Sequence, residues 1–255
     1  MQDSYYDFAR FYDSLMEDAR YGDRAAYLLA ICERFGHPIG VCLDLACGTA
    51  SLTRELFVRG IEVLGVDGSV EMLAEASRRS IEENCEIPFI CQDMCELTLP
   101  EAVDTCVCTL DSINHLPTAE EVLACFCCVS NNLKQGGLFV FDVNTVYKHR
   151  EVLANNAFTI ENDSVFCAWQ NALDEENEKT VEILLDFFEE QEDGSYLRYS
   201  ESFSETAYTD EELRKMLMNA GFEVLACYGD LSFETPAAEE QRAVYVAKKP
   251  QEGTD

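Results

Sequence analysis

The apolar positions of this chain switch between two spacings, and the switches divide it into elements. Phe8, Phe11, Tyr12, Leu15 and Met16 recur at helical spacing, as do Leu28, Leu29, Ile31, Cys32 and Phe35, so two helices are predicted between residues 5 and 35. Gly36-His37-Pro38 stops the second. Short unbroken apolar runs then take turns with helical ones. Strand one runs from Val41 to Leu45, followed by a helix through Leu52, Leu56 and Phe57 to Gly60. Strand two begins at Ile61 and ends at Asp67, and Ser69 caps the helix that carries Met72, Leu73 and Ala76. Strand three is Pro88 to Cys91, with Asp93 behind it, and strand four is Thr105 to Leu110. A helix from Ala119 to Leu133, closed by Gly136-Gly137, leads into strand five, Leu138 to Val143, which ends around Asp142 and Asn144. Repeated βα alternation of this kind predicts a parallel, doubly wound sheet.

Beyond residue 150 the pattern changes. From Phe158 to Phe203 apolar and polar residues alternate, with acidic turns at Asp174-Glu175-Glu176 and Glu192-Asp193-Gly194. Three antiparallel strands are predicted, around Phe166 to Trp169, Val181 to Phe188 and Tyr196 to Phe203. Helical spacing resumes from Asp210 to Leu217 and is closed by Ala220-Gly221-Phe222; strands at Glu223 to Tyr228 and Arg242 to Lys248 complete the series. The expected fold is α/β: a doubly wound, seven-stranded mixed sheet with a small antiparallel β insert after strand five.

Composition narrows the function. The 255 residues suffice for one large α/β domain, and 47% are apolar, enough to bury a full core. The formal net charge is −31, and such a surface repels phosphate backbones, so a nucleic-acid partner is not expected. No run of eighteen apolar residues predicts a membrane span, and the acidic, aromatic start Met1-Gln2-Asp3-Ser4-Tyr5-Tyr6-Asp7 is unlike a secretory signal. A cytoplasmic location is expected. Most of the 13 cysteines sit in apolar runs, among them Cys42, Cys106, Cys108, Cys125, Cys127 and Cys128. They read as small buried hydrophobes rather than zinc ligands, because no second pair stands at zinc-finger spacing and the three histidines are scattered. No metal is expected.

The candidate chemistry lies in the acids at the ends of the first two strands, Asp44 and Asp67, since ligands of such sheets bind outside the carboxyl ends of the strands. A P-loop requires Gly-Lys-Ser/Thr, which is absent. A dinucleotide fingerprint requires three glycines; this loop has only Gly48 in place, and Asp44 would repel a pyrophosphate but attract a cation. Asp44-Leu45-Ala46-Cys47-Gly48-Thr49-Ala50 resembles the first motif of the class I S-adenosylmethionine (SAM)-dependent methyltransferases. Val66-Asp67-Gly68-Ser69-Val70-Glu71-Met72-Leu73 resembles their second, Gln92-Asp93-Met94 their adenine-side motif, and Asn132 to Asp142 their fifth strand. The opening Tyr5 to Asp13 resembles the lid helix of a bacterial small-molecule subfamily, whose inserted sheet Trp169, Arg198, Glu201 and Tyr208 also resemble. Two alanines depart from the usual glycines. Ala46 is expected in ordinary backbone and Ala50 in the first turn of the following helix, where alanine is favourable.

The resemblance implies a Rossmann-like fold, SAM as cofactor with S-adenosylhomocysteine (SAH) as product, and methyl transfer to an O or N of a small molecule. It implies that Asp67, beside Gly68, accepts from both ribose hydroxyls, that Asp44 lies near the methionine ammonium, and that Ala46 and Gly48 let the backbone approach the cofactor. Asp93 and Met94 would take the adenine edge and Met72 its face, although Asp93 is equally a strand-end cap and Met72 a core residue. Leu110 and Asp111 would pass the methionine part, and Tyr12 and Tyr21 would close over the cofactor unless they are helix core. His115 is the candidate general base, with a structural histidine as the alternative. Asn144, Trp169 and Arg198 are candidate acceptor residues; the alternative for Arg198 is a cross-strand ion pair with Glu201 or another acid. The implied division is residues 1–36 lid helices, 37–145 cofactor core, 146–206 acceptor-side insert and 207–250 the rest of the core. A monomer or homodimer without membrane or nucleic-acid partners is expected. The alternatives are a protein that binds SAM or SAH without turnover and a nucleic-acid methyltransferase.

Overall fold

The computed structural model describes Ala9, Phe11, Tyr12, residues 19–161 and residues 165–251. Most of the expected first helix and its lid motif lies outside these residues. The first complete helix, α1 (Tyr21–Arg34), precedes β1 (Cys42–Leu45), α2 (Ser51–Val58), β2 (Val63–Asp67), α3 (Val70–Glu82), β3 (Phe89–Cys91) and β4 (Val103–Cys108). A 3-10 turn (Ser112–His115) leads into α4 (Ala119–Asn132) and β5 (Leu133–Asn144). A π-helical turn (Lys148–Leu153) opens the insert of β6 (Ala157–Glu161), β7 (Val165–Leu173), β8 (Thr180–Glu190) and β9 (Tyr196–Thr206). The chain closes with α5 (Asp210–Asn219), β10 (Glu223–Gly229) and β11 (Arg242–Lys248).

The main sheet has the order β10-β11-β5-β4-β1-β2-β3. β1 to β5 pair in parallel, whereas β11 pairs antiparallel with both β5 and β10. This is the expected seven-stranded mixed sheet. Both faces are covered, as a parallel sheet requires. One face packs Leu43, Leu45, Phe139 and Phe141 against α4 and α5 through Phe126, Leu213 and Leu217. The other packs Cys42, Val107 and Val140 against α1 and α2 through Leu28, Ile31 and Leu56.

The insert is a four-stranded antiparallel sheet, one strand more than expected. The extra strand β6 is an edge strand, largely exposed, and its residues show no buried alternation that periodicity could register. The insert's inner face packs Val181, Ile183, Leu185 and Phe187 against Ala9, Phe11 and Met72, and Phe11 stacks on Phe187 with ring centroids 5.0 Å apart. The insert is thereby tied to α3, the helix that follows Asp67.

Gly136-Gly137 does not close α4, which ends at Asn132; both glycines lie inside β5. Gly137 is needed there because a Cβ would stand 2.8 Å from the Asp104 carbonyl oxygen and 2.9 Å from that of Lys134. Both alanine expectations are also corrected. Ala46 has φ +57° and Ala50, the residue before α2, has φ +62°, so each occupies the left-handed region that glycine adopts freely.

Candidate active site

The loop between β1 and α2 is one strained part of the molecule. Ala46, Gly48 and Ala50 all have positive φ, which coils the backbone so that amide groups turn toward the neighbouring strand. The Gly48 N–H donates to Asp67 Oδ2 at 2.8 Å, and the Ser69 N–H donates to Oδ1 at 2.8 Å. Each oxygen of Asp67 therefore keeps acceptor capacity for one further donor, a pair suited to a vicinal diol. Burial pushes the Asp67 carboxyl above its usual range, while the amides of Ser69 and Gly48 and the nearby His115 draw it back. Ser69 also caps α3, accepting the Met72 N–H at 3.1 Å.

Asp44 lies one strand away, on β1, where Leu45 pairs with Val66 of β2. It is buried, and the Thr53 hydroxyl donates to Oδ2 at 2.6 Å. Burial raises its carboxyl to about 7, with Asp67 adding to the effect and Thr53 opposing it. Among the described residues no cation pairs with Asp44, and such a buried acid is a place where a ligand's positive charge is strongly favoured.

These two acids line adjoining spaces. A cavity of about 490 Å³ is lined by Tyr12, Ala46, Gly48, Asp67, Gly68, Met72, Asp93, Met94, Leu110 and His115. A small annex of about 20 Å³ shares Tyr12, Ala46 and Leu110 with it and adds Asp44 and Tyr21. Sequence reasoning missed Leu45, Ser69, Glu71, Gln92, Ser112 and Leu116, which also line the cavity; each adjoins a motif residue, and that adjacency was the available signal.

Asp111, Asn144, Trp169 and Arg198 do not line this space. Asp111 binds Arg242 at 2.6 Å, and Asn144 is buried with its Nδ2 donating to Glu205 at 3.0 Å. Trp169 packs within the insert and donates from Nε1 to Asn171 at 2.5 Å. Arg198 forms a bidentate pair with Asp186 on the next strand, so the structure brings it to an acid of the insert, not to the cavity.

One residue of consequence reads in the sequence only as a strand end. Leu110 and Asp111 have φ of +58° and +57°, two successive left-handed residues with side chains. Asp142, at the end of β5, accepts the Leu110 N–H at 2.9 Å and the Asp111 N–H at 2.8 Å, and is itself bound by Arg242. The signal was the same as for Asp44 and Asp67: an acid ending an apolar strand.

A doubly wound sheet whose first two strands end in acids beside adjoining spaces defines a Rossmann-like fold with its ligand site at the carboxyl ends of the strands. Comparison with known proteins agrees with this class. A methyltransferase-domain family model matches residues 42–137. A methyltransferase-family protein of Geobacillus sp. (strain WCH70) is 32% identical over 247 residues, 96% of this chain and 100% of that one. The crystal structure of a SAM-dependent methyltransferase from Clostridium acetobutylicum superposes with a TM-score of 0.87 at 31% identity, covering 97% of this chain and 100% of that one. SAM-bound CalS10, an amino pentose methyltransferase from Micromonospora echinaspora, shares the fold with a TM-score of 0.74 at 19% identity, covering 93% of this chain and 96% of that one. The chain belongs to the class I SAM-dependent methyltransferases, and SAM is its cofactor.

Proposed function

We propose that the protein transfers the methyl group of SAM to an O or N of a small-molecule acceptor, in the cytoplasm. The observation that carries this reading is the pair of acids, Asp44 and Asp67, on the tips of adjacent strands, each lining one of two adjoining spaces that share Tyr12, Ala46 and Leu110. In this reading Asp67 takes the ribose diol, Asp44 the ammonium end, and Asp93 and Met94 the adenine edge, with Met72 against its face. Tyr12 and Tyr21 close the crevice, and Ala46, Gly48, Gly68 and Leu110 shape it. Residues 1–36 act as the lid, 37–145 and 207–250 as the core, and 146–206 as the acceptor side. The acidic lining, which includes Glu71 and Asp93, argues against a phosphate backbone as acceptor. Free thiols at all 13 cysteines suit a reducing compartment.

The cofactor, when bound, supplies a methyl group already activated by its sulfonium. What remains for the chain is alignment, exclusion of water and the handling of one proton. Near-attack placement is worth about 7–11 kcal/mol, against about 3–5 kcal/mol for a general base. Pocket shape therefore outweighs His115, the cavity-lining base. Calorimetric titration with SAH tests the reading. The wild type is expected to bind, and Asp67→Ala to bind at least about tenfold more weakly, since two charge-assisted hydrogen bonds are lost. Absence of heat from the wild type overturns the reading, and equal affinity in the variant overturns the ribose role.

A further inference from the structure

A second cavity, of about 290 Å³, lies beside the end of β5, between the start of α5 and the loop that precedes β11. It shares no lining residue with the cofactor cavity or its annex. Three tyrosines, Tyr147, Tyr208 and Tyr245, line it together with valine, alanine and proline side chains. Among the described residues its only charged lining groups are two acids, Asp210 and Glu240. The volume is at the small end of the range for ligand pockets.

The walls are fixed from outside. Tyr245 stacks on Phe141 with ring centroids 5.2 Å apart and donates its hydroxyl to Asp210 Oδ1 at 2.9 Å. Tyr208 donates its hydroxyl to the Leu116 carbonyl at 2.5 Å. The loop before β11 is clipped to the end of β5. There the Thr145 hydroxyl donates to the Glu240 carbonyl at 2.6 Å, and the Thr145 N–H donates to that of Gln241 at 3.1 Å. The Thr209 hydroxyl is spent on Glu212 in the cap of α5. Of the lining hydroxyls only that of Tyr147 has no partner among the described residues, so an anion or a neutral polar ligand finds little side-chain donation here.

Negative charge, by contrast, is left over. Gly229 has no Cβ, and Glu240 Oε2 stands 2.6 Å from where one would be, so the glycine makes room for this carboxylate. Among the described residues no cation pairs with Glu240. The two cations lining the adjoining space, which shares Ala237 and Glu240, are committed elsewhere: Arg242 to Asp111 and Asp142, and Lys148 to Asn144. Asp210 is held by Arg214 in an exposed pair, which neutralises it weakly. Asp210, Glu211 and Glu212 occupy the first turn of α5 and offset the positive end of that helix.

We propose that this cavity is a second ligand site and that it takes a small alkylated ammonium ion. Such an ion presents apolar methyl groups to the aromatic wall and brings its positive charge to the rings and to Glu240. A bare ammonium is strongly hydrated and loses more on entering an aromatic cavity. A neutral alkyl group gains the contacts without the charge.

Calorimetric titration of the full chain with choline, and with its uncharged carbon isostere dimethylbutanol, tests the proposal. Choline is expected to bind at least about tenfold more tightly than the alcohol, and equally with and without saturating SAH. Glu240→Gln is expected to lose at least about fivefold of choline affinity. Tyr147→Leu, which keeps apolar bulk but removes a ring, is expected to lose at least about twofold. Thermal melts close to that of the wild type show that both variants fold. Choline that fails to bind, that the alcohol matches, or that either folded variant binds as tightly as the wild type overturns the proposal. Choline that SAH displaces overturns it too, because the cation then sits by Asp44 and Asp67. The isostere and SAH comparisons use the wild type alone, so they decide the matter even if a variant does not fold.

Discussion

Asp142→Asn tests how the cavity wall is held. Leu110 and Asp111 sit at φ +58° and +57°. A left-handed residue with a side chain costs about 1–2 kcal/mol, so the pair costs about 2–4 kcal/mol. Asp142 opposes this by accepting both backbone N–H groups, at 2.9 and 2.8 Å. Hydrogen bonds to a charged group are worth about 1.5–3 kcal/mol each, or about 3–6 kcal/mol for two. The strained loop is thus favoured by only about 1–2 kcal/mol on this comparison. Asparagine keeps one carbonyl acceptor at neutral strength, turns an NH₂ toward the other N–H, and deprives Arg242 of a buried partner. The balance reverses. Urea denaturation is expected to show a loss of about 2–5 kcal/mol, as for a broken buried pair. SAH affinity is expected to fall at least about tenfold, because Leu110 lines both the cavity and its annex. Adding Leu110→Gly removes the Cβ penalty and is expected to restore about fivefold, equivalent to about 1 kcal/mol. A variant that loses stability but binds SAH like the wild type would show that Asp142 supports the fold without setting the wall.

Asp44, raised by burial to about 7, gives a pH signature. Between about pH 4 and pH 7 the native state binds a proton that the unfolded chain has released, so the free protein loses stability as pH rises through that window. A bound ammonium favours the ionised form, so SAH binding at pH 6 is expected to release a proton. The calorimetric enthalpy should then vary with buffer at pH 6, little at pH 8.5, and not at all in Asp44→Asn; buffer-independent heats in the wild type at pH 6 would refute this. Ala50→Gly removes a left-handed Cβ but frees the unfolded chain, and is expected to leave stability unchanged or raise it by up to about 1 kcal/mol in thermal melts, where a loss greater than 1 kcal/mol would contradict the strain. Gly65→Ala places a Cβ 2.7 Å from Phe89 Cδ1 and 2.8 Å from Cys47 Sγ. It is expected to cost about 1–3 kcal/mol and to weaken SAH binding through the Cys47 loop; unchanged binding would show that the loop absorbs the displacement.

Much of the site was legible because its residues are local in sequence. An apolar run ending in an acid is both the buried strand and the ligand-facing tip, so Asp44 and Asp67 announced themselves. Ser69 announced the start of α3 by the same economy, since the cap that serves the Met72 N–H also adjoins the cavity. Periodicity failed where burial was weak, as at edge strand β6, and where backbone conformation departed from residue preference. Nothing in the letters Ala46 and Ala50 signals positive φ, because alanine reaches that region only when surrounding contacts hold it there.

The succession of core strands and helices along the chain, the two acidic tips and the resemblance to SAM-dependent methyltransferases came from the chain alone, through short-range patterns in which neighbours in sequence act together. The tertiary structure decided the rest. It withdrew Arg198 to Asp186, gave Asp142 the task of holding the Leu110 loop, and gathered Asp111, His115, Asn144, Lys148, His149, Glu205 and Arg242 into one polar cluster. Those partners lie far apart along the chain. Charge and hydrogen-bond balance depend on distance in space, and only the packing of the insert and β11 against the core sets those distances.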